Sequence, residues 1–457
     1  MFTAFTRIVR FVLAALVCCI AIPAGPCFAD WQAGAARLNI TPGEAMWMSG
    51  YGGRDHPAEG KLTDLWAKTL VLQDGDGARV AIVTLDLVGL DRDTELGIRN
   101  RVAEEYDIPV ANTALFSSHT HTGPVVGANL KAMYEIDDQQ WELVDAYTAK
   151  LIDGVVASVG EAIGDLEPAA LTWGNGFASF AVNRRTNREP DVPMLREQGL
   201  LQGPSDHDVP VLAVRCGENL KAVVFGYACH ATVLSFYQWS GDYPGFAQIS
   251  VEETYPGTLA MFWAGCGADQ NPLPRRQVEQ AQEYGQRLAA AVDETLKGRM
   301  HKISGNLQTV YNEIDLEFGP LPTREALESA SQSDNKYERG RARFLLEKWD
   351  ADGGLSQTYP YPIQTWRLGD GPTWVSLGGE VVVDFSIRIK SEIGLDDTWV
   401  AGYANDVMAY IPSLRVLREG GYEGASSMIV YGQPCPWAEN VEELIMAEVH
   451  RQAESLE

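Results

Sequence analysis

Thr113-Ala114-Leu115-Phe116-Ser117-Ser118-His119-Thr120-His121-Thr122-Gly123-Pro124 runs from apolar residues into two imidazoles one residue apart and then a Gly-Pro turn. Thr113 to Ser117 reads as a short buried strand, so both His stand where a strand opens into a loop. Such junctions are where a scaffold presents ligands and catalytic groups. Imidazole is the commonest metal ligand and the acid/base best matched to neutral pH, so one His can hold a metal while its neighbour moves protons. The alternative is a pair of hydrogen-bonded structural histidines. The chain has only 7 His among 457 residues, which favours a reserved chemical role.

Strand-like runs recur on either side of this stretch, with helical segments between them. Arg79 to Leu85 is one such run, and a helix is expected from Thr94 to Tyr106. Trp141, Val144, Tyr147, Leu151 and Val155 follow helical spacing, as do Val278, Ala281, Leu288, Val292 and Leu296. Val211 to Val214, Ala222 to Phe225 and Leu259 to Trp263 have the character of strands covered on both faces. The expected fold class is α/β in the mixed α+β sense: mixed central sheets flanked by helices in one large catalytic domain over residues 30–457. The polar stretch 318–354 reads as a helical insertion covering part of the site, with Pro322-Thr323 starting one helix and Tyr337 to Trp349 forming another.

Residues 1–29 carry Arg7 and Arg10, an apolar core from Phe11 to Pro23 and a small-residue junction at Ala29, the pattern of a cleaved secretory signal. The expected location is therefore secreted or periplasmic. No later run is long enough to span a bilayer. Export would place Cys216, Cys229, Cys266 and Cys435 in an oxidising compartment, where three pairings or free thiols are all open. With 36 basic and 62 acidic residues the net charge is −26, which argues against nucleic acid and anionic membrane surfaces as partners. Only transient contact with a membrane surface is expected, and the oligomeric state stays open.

Three further segments hold chemistry. His230 closes the apolar run Val223 to Cys229 and repeats the geometry of His119. Glu380 follows Trp374-Val375-Ser376-Leu377-Gly378-Gly379, and a carboxylate in such company must be paired or metal-bound, unless it is an ordinary helix N-terminal acid. Two His and a carboxylate are a common catalytic zinc set. The loop Gly265-Cys266-Gly267-Ala268-Asp269-Gln270-Asn271-Pro272 lets backbone approach a ligand closely and presents Asp269 and Asn271; it can equally be an Asx turn and helix cap.

These motifs, with Gly241-Asp242-Tyr243-Pro244-Gly245-Phe246-Ala247, Gly402-Tyr403-Ala404-Asn405-Asp406, Tyr410-Ile411-Pro412 and Tyr422-Glu423-Gly424-Ala425-Ser426, occur in an order that resembles the neutral or alkaline non-lysosomal ceramidases and their shorter bacterial relatives. Asn39-Ile40-Thr41-Pro42-Gly43 and Met48-Ser49-Gly50-Tyr51 are similar to the family's opening, so the likeness covers about Ala36 to Ser427. The resemblance implies one Zn2+ per chain held by His119, His230, Glu380 and the phenolate of Tyr410. It makes His121 the proton-handling partner and Tyr422 with Arg184 the donors to a developing oxyanion. The expected activity is hydrolysis of the N-acyl amide of ceramide-like or other lipophilic N-acyl compounds. A different amide or ester substrate, or a non-catalytic binding protein retaining the fold, are the alternatives. Two departures stand out. Asn271 occupies a loop position where ceramidases proper carry a Ser associated with ceramide handling, and about 30 residues remain after Ser426, too few for the family's C-terminal immunoglobulin-like domain of about 100 residues.

Overall fold

The computed structural model describes residues 30–456; the expected leader lies outside them. The larger sheet contains β1 (Trp31–Asn39), β2 (Trp66–Asp74), β3 (Arg79–Leu85), β4 (Thr113–Ser117), β5 (Glu167–Phe177), β6 (Asp208–Cys216), β7 (Asn219–Tyr227) and β8 (Leu259–Ala264), in the order β8-β7-β6-β5-β1-β2-β3-β4, and β9 (His301–Ile303) pairs with β5. The smaller sheet runs β10 (Leu307–Glu317), β11 (Thr358–Leu368), β12 (Thr373–Leu377) and β13 (Thr398–Ala401).

The expected mixed α/β class is what the chain forms, but the helix-then-strand rhythm holds only locally. The centre of the large sheet is an antiparallel meander, because β1 pairs with β2 and β5, and β5 to β7 follow one another as neighbours. Parallel pairing needs a crossover, and within these two sheets it occurs three times. Helix α1 (Arg92–Tyr106) links β3 to parallel β4 at one end of the large sheet. Beyond α2 (Asp138–Gly164), α3 (Asp242–Thr254) links β7 to parallel β8 at the other end. After α4 (Val278–Lys297), α5 (Arg324–Ala330) and α6 (Lys336–Asp352), helix α7 (Val383–Ile393) links β12 to parallel β13 in the small sheet.

Period-two patterning explains why both faces of the large sheet are covered. Leu70, Leu72, Val80, Ile82, Leu212, Val214, Val224 and Met261 enter a core shared with the small sheet. The alternating residues Val71, Ala81, Val83, Val211, Val223 and Ala260 face the helical side. Helix α2 packs on β1 and β2, and α4 on β5 and β6, while α8 (Val441–Glu454) packs on β10 and β11. Close approach of α2 needs Gly34, where a Cβ would lie 1.8 Å from the Ala162 carbonyl oxygen.

Between the sheets lies an aromatic cluster centred on Trp374. Its ring stacks on Phe116 at 5.3 Å and 8°, and meets Trp263 at 5.4 Å and Trp399 at 5.5 Å. Short bridges from Phe116 to Ala404 and from Gly265 to Ala401 tie the strand ends of the two sheets together. The expected helices in 318–354 are present, with Thr323 capping α5 through the Ala326 amide, and Lys336 at the start of α6 donates to the Gly52 carbonyl at 2.7 Å. No helix among the described residues is long and apolar enough to cross a membrane. Replacing Trp374 with Ala empties the centre of the inter-sheet core and should cost about 3–5 kcal/mol of stability; a denaturant midpoint unchanged from the parent would contradict that placement.

Candidate metal centre and active site

The carboxyl ends of the three crossover units meet, the place where open α/β sheets bind ligands. His119 follows β4, His230 follows β7, and Glu380 follows β12. His119 adopts the left-handed region with φ 61°, sparsely populated by non-Gly residues. It is held there by its amide donating to the Leu87 carbonyl at 2.9 Å and by its ring Nδ1, 2.6 Å from the Val88 carbonyl. His230 repeats the arrangement: its Nδ1 lies 2.8 Å from the Gly267 carbonyl. Gly267 is required for that approach, since a Cβ there would be 2.5 Å from the Cys229 amide nitrogen.

A carbonyl oxygen only accepts, so in both rings Nδ1 carries the proton and Nε2 presents a lone pair inward. Both Nε2 atoms lie 3.1 Å from one atom, Oε2 of Glu380. That oxygen is buried with no hydrogen-bond donor. Three acceptors facing one another in a dry interior need a cation between them. Tyr410, which pairs with Glu380 across a short parallel ladder, brings its hydroxyl within 3.3 Å of His230 Nε2. Two nitrogens and two oxygens converging in this way suit a borderline ion such as Zn2+.

His121 completes the cluster. Its Nε2 lies 3.1 Å from that of His119, and the three His offer ring nitrogens all within 4.8 Å of one another. Its Nδ1 has no partner. The ring packs edge-on to Tyr51 at 4.7 Å and against Gly50, where a Cβ would come within 2.5 Å of it. Burial, then the neighbouring His119, hold His121 well below the ordinary imidazole range, and burial followed by the Arg184 charge brings His230 to about 4. Both are therefore neutral at pH 7, the state a metal ligand or general base needs. Burial opposes the charge of Glu380, and positive charge at the facing imidazoles is what holds it well below the usual carboxylate range, a role a bound cation would fill where those rings are neutral.

Arg184 lies against Tyr410, its guanidinium NH2 nitrogen donating to the phenol oxygen at 3.1 Å. Its Nε donates to Glu423 at 2.7 Å, and Arg185 donates to the other oxygen of Glu423 at 2.6 Å. Tyr422 opens a π-helical turn, Tyr422–Ser426, a feature frequent at functional sites. Its ring meets Tyr410 at 5.2 Å while the side chain stays 46% exposed. Asn271 Oδ1 is 3.4 Å from Arg184. Asp269 faces away from this cluster: one carboxylate oxygen accepts from the Val383 amide, the other from Asn183, and its carbonyl accepts from the Arg184 amide. It braces the Arg184 segment and is neither a metal neighbour nor the expected helix cap, since α4 starts later at Gln277. Glu380 is likewise not a helix N-terminal acid; α7 begins at Val383. Cys216, Cys229, Cys266 and Cys435 are all free thiols.

The model of the family described as "Neutral/alkaline non-lysosomal ceramidase, N-terminal" matches residues 31–262. The chain belongs to that family. It is 23% identical to the neutral ceramidase of Pseudomonas aeruginosa, covering 96% of this chain and 74% of that protein, and 27% identical to the neutral ceramidase of Mycobacterium tuberculosis over 46% of this chain and 34% of that one. The crystal structure of the Pseudomonas aeruginosa enzyme superposes with a TM-score of 0.71 at 20% identity, covering 94% of this chain and 74% of that chain, which establishes the shared fold.

In this ceramidase-family chain Tyr431 carried no sequence signal of its own, and Tyr403 showed only as a member of its motif. Tyr431 donates to Glu380 Oε1 at 2.5 Å, which leaves Oε2 to face the two imidazoles. Tyr403, left-handed at φ 53°, lays its ring 4.3 Å from His119. Tyr431→Phe should weaken metal binding by about 10- to 100-fold, as loss of such supporting groups does; chelator competition reads it, and an unchanged affinity would show that Glu380 needs no such brace. Behind the site, Asp406 accepts from Tyr359 at 2.6 Å while its other oxygen has no partner, and burial pushes its carboxyl from 3.8 up to about 8. Between these values the folded chain keeps a proton that the unfolded chain loses. Its stabilising contribution is therefore complete below pH 3.8 and fades as pH rises towards 8. Asp406→Asn should flatten the loss of stability over that window, and a variant with the parent's pH slope would contradict it.

Proposed function

We propose that this chain is an exported zinc-dependent amidohydrolase that cleaves the N-acyl amide bond of ceramide-like or other lipophilic N-acyl compounds. The observation that carries the reading is the meeting of His119 Nε2, His230 Nε2 and Tyr410 OH around an unpartnered Glu380 Oε2. His119, His230, Glu380 and Tyr410 would hold the ion. Bound there, zinc supplies Lewis acidity that makes water nucleophilic near neutral pH and polarises a carbonyl.

The chain's own residues supply the rest. Burial pushes the Tyr410 phenol well above its usual range, and the Glu380 charge adds to this, so its phenolate form depends on the cation and on the adjacent Arg184 guanidinium. Arg184, fixed by Glu423, and the half-exposed Tyr422 stand on one side of the cluster, suited to donate to the carbonyl oxygen as negative charge develops. His121, neutral and with its Nε2 turned to the cluster, would take a proton from the attacking water and deliver one to the nitrogen as the C–N bond breaks. Asn271, within 3.4 Å of Arg184 where ceramidases proper carry Ser, favours N-acyl compounds other than ceramide itself.

The test is release of fatty acid from a fluorescent short-chain ceramide and from ester and amide analogues with the same acyl chain, with and without chelator. Turnover of an amide that stops on chelation and returns with zinc is expected, and His119→Ala and His230→Ala should lose both metal and activity. Retention of both by the two variants would end the metal reading. Turnover of esters alone would end the amidase reading.

A further inference from the structure

We propose that the cavity beside Arg184 and Tyr422 is a head-group subsite for a carboxylate on the amine portion of the substrate, which makes N-acyl amino acids the favoured compounds; the inference rests on the amidohydrolase reading above. The cavity has a volume of about 480 Å³ and is walled by Arg184, Arg185, Arg188, Arg275, Asn271 and Tyr422. Two of its wall residues link it to the metal cluster: Arg184 donates to the Tyr410 hydroxyl and Tyr422 packs against the Tyr410 ring.

Two features decide what it takes. The first is polarity. Leu273 is the one sizeable aliphatic side chain on its wall, and the other apolar surface belongs to arginine stems and the Tyr422 ring, so a fatty-acyl chain placed there would compete with charged groups for the lining. The polar, amine-side portion of an N-acyl compound is what fits.

The second is charge. The wall carries four guanidinium groups against the carboxylates of Glu189, Glu419 and Glu423. Glu423 holds Arg184 and Arg185, Glu419 adds to Arg185, and Glu189 holds Arg275 at 2.9 Å. Arg188, exposed to solvent at the cavity wall, has no carboxylate partner among the described residues, which leaves one positive charge unpaired at the edge of the cavity in a chain with net charge −26. A single guanidinium matches a single carboxylate, which it binds through paired N–H donors. A doubly charged phosphate monoester would leave one charge unpaired. The reaction is ordinary hydrolysis: water oxygen bonds to the carbonyl carbon, the C–N bond breaks, and the proton passes to the departing amino nitrogen, giving a fatty acid and an amino acid.

The experiment uses the zinc-loaded full chain with N-lauroyl-glycine, N-lauroyl-ethanolamine and N-lauroyl-sphingosine, which share one acyl chain and differ in head group. Turnover of N-lauroyl-glycine should exceed that of N-lauroyl-ethanolamine by about tenfold in kcat/KM, the scale of one hydrogen-bonded charge pair. Arg188→Ala should shrink that ratio several-fold through KM, Arg188→Lys should restore part of it, and added salt should narrow it. Equal or better turnover of the uncharged amides, or a ratio that Arg188→Ala leaves unmoved, would overturn the subsite while leaving the amidohydrolase standing. Turnover of none of the three would remove the amidohydrolase reading and the subsite with it.

Discussion

Two backbone carbonyls, those of Val88 and Gly267, fix which nitrogen of two buried imidazoles carries a proton, and the site depends on that choice. With Nδ1 committed to donation, His119 and His230 can only point lone pairs at Glu380, whose facing oxygen has no donor. In a dry interior such an arrangement is repulsive without a positive charge at its centre. The surrounding architecture serves to hold it. His119 keeps a left-handed backbone that few residues adopt, Gly267 brings its carbonyl into range because it lacks a Cβ, and Tyr431 occupies the second oxygen of Glu380.

The fold explains how ligands far apart in sequence are brought so close. Each of the three follows a strand of a parallel crossover unit, and the units belong to two sheets packed face to face. Trp374 and its aromatic neighbours set the spacing between the sheets, while the bridges at Ala401 and Ala404 join their carboxyl ends. A rigid support on both sides is what lets a site of this kind keep its geometry. At the mouth of the site Tyr422 stays half-exposed on a π-helical turn.

Much of this was legible in the chain. Thr113 to Ser117 and Arg79 to Leu85 are strands with the bounds their apolar runs suggest, because buried strands need side chains that suit both faces. His119, His121, His230 and Glu380 announce themselves by polarity at the ends of apolar runs. The antiparallel centre of the large sheet was not legible, since apolar runs look alike in either pairing direction. Tyr431 was hidden and Glu423 showed only as a member of its motif: their roles rest on long-range hydrogen bonds, to Glu380 and to Arg184 and Arg185, and neither local spacing nor composition encodes such partners. Asp269 misled in the other direction. Its place in a small-residue loop suggested contact with substrate, but both its oxygens serve the backbone of α7 and the side chain of Asn183.

The central claim is that a cation sits among four named atoms. Diffraction from crystals of the purified chain, collected on both sides of the zinc absorption edge, tests it directly. One anomalous peak per chain is expected, lying between His119 Nε2, His230 Nε2, Glu380 Oε2 and the Tyr410 hydroxyl. A zinc-soaked crystal with no peak there, or with its peak elsewhere, would contradict it.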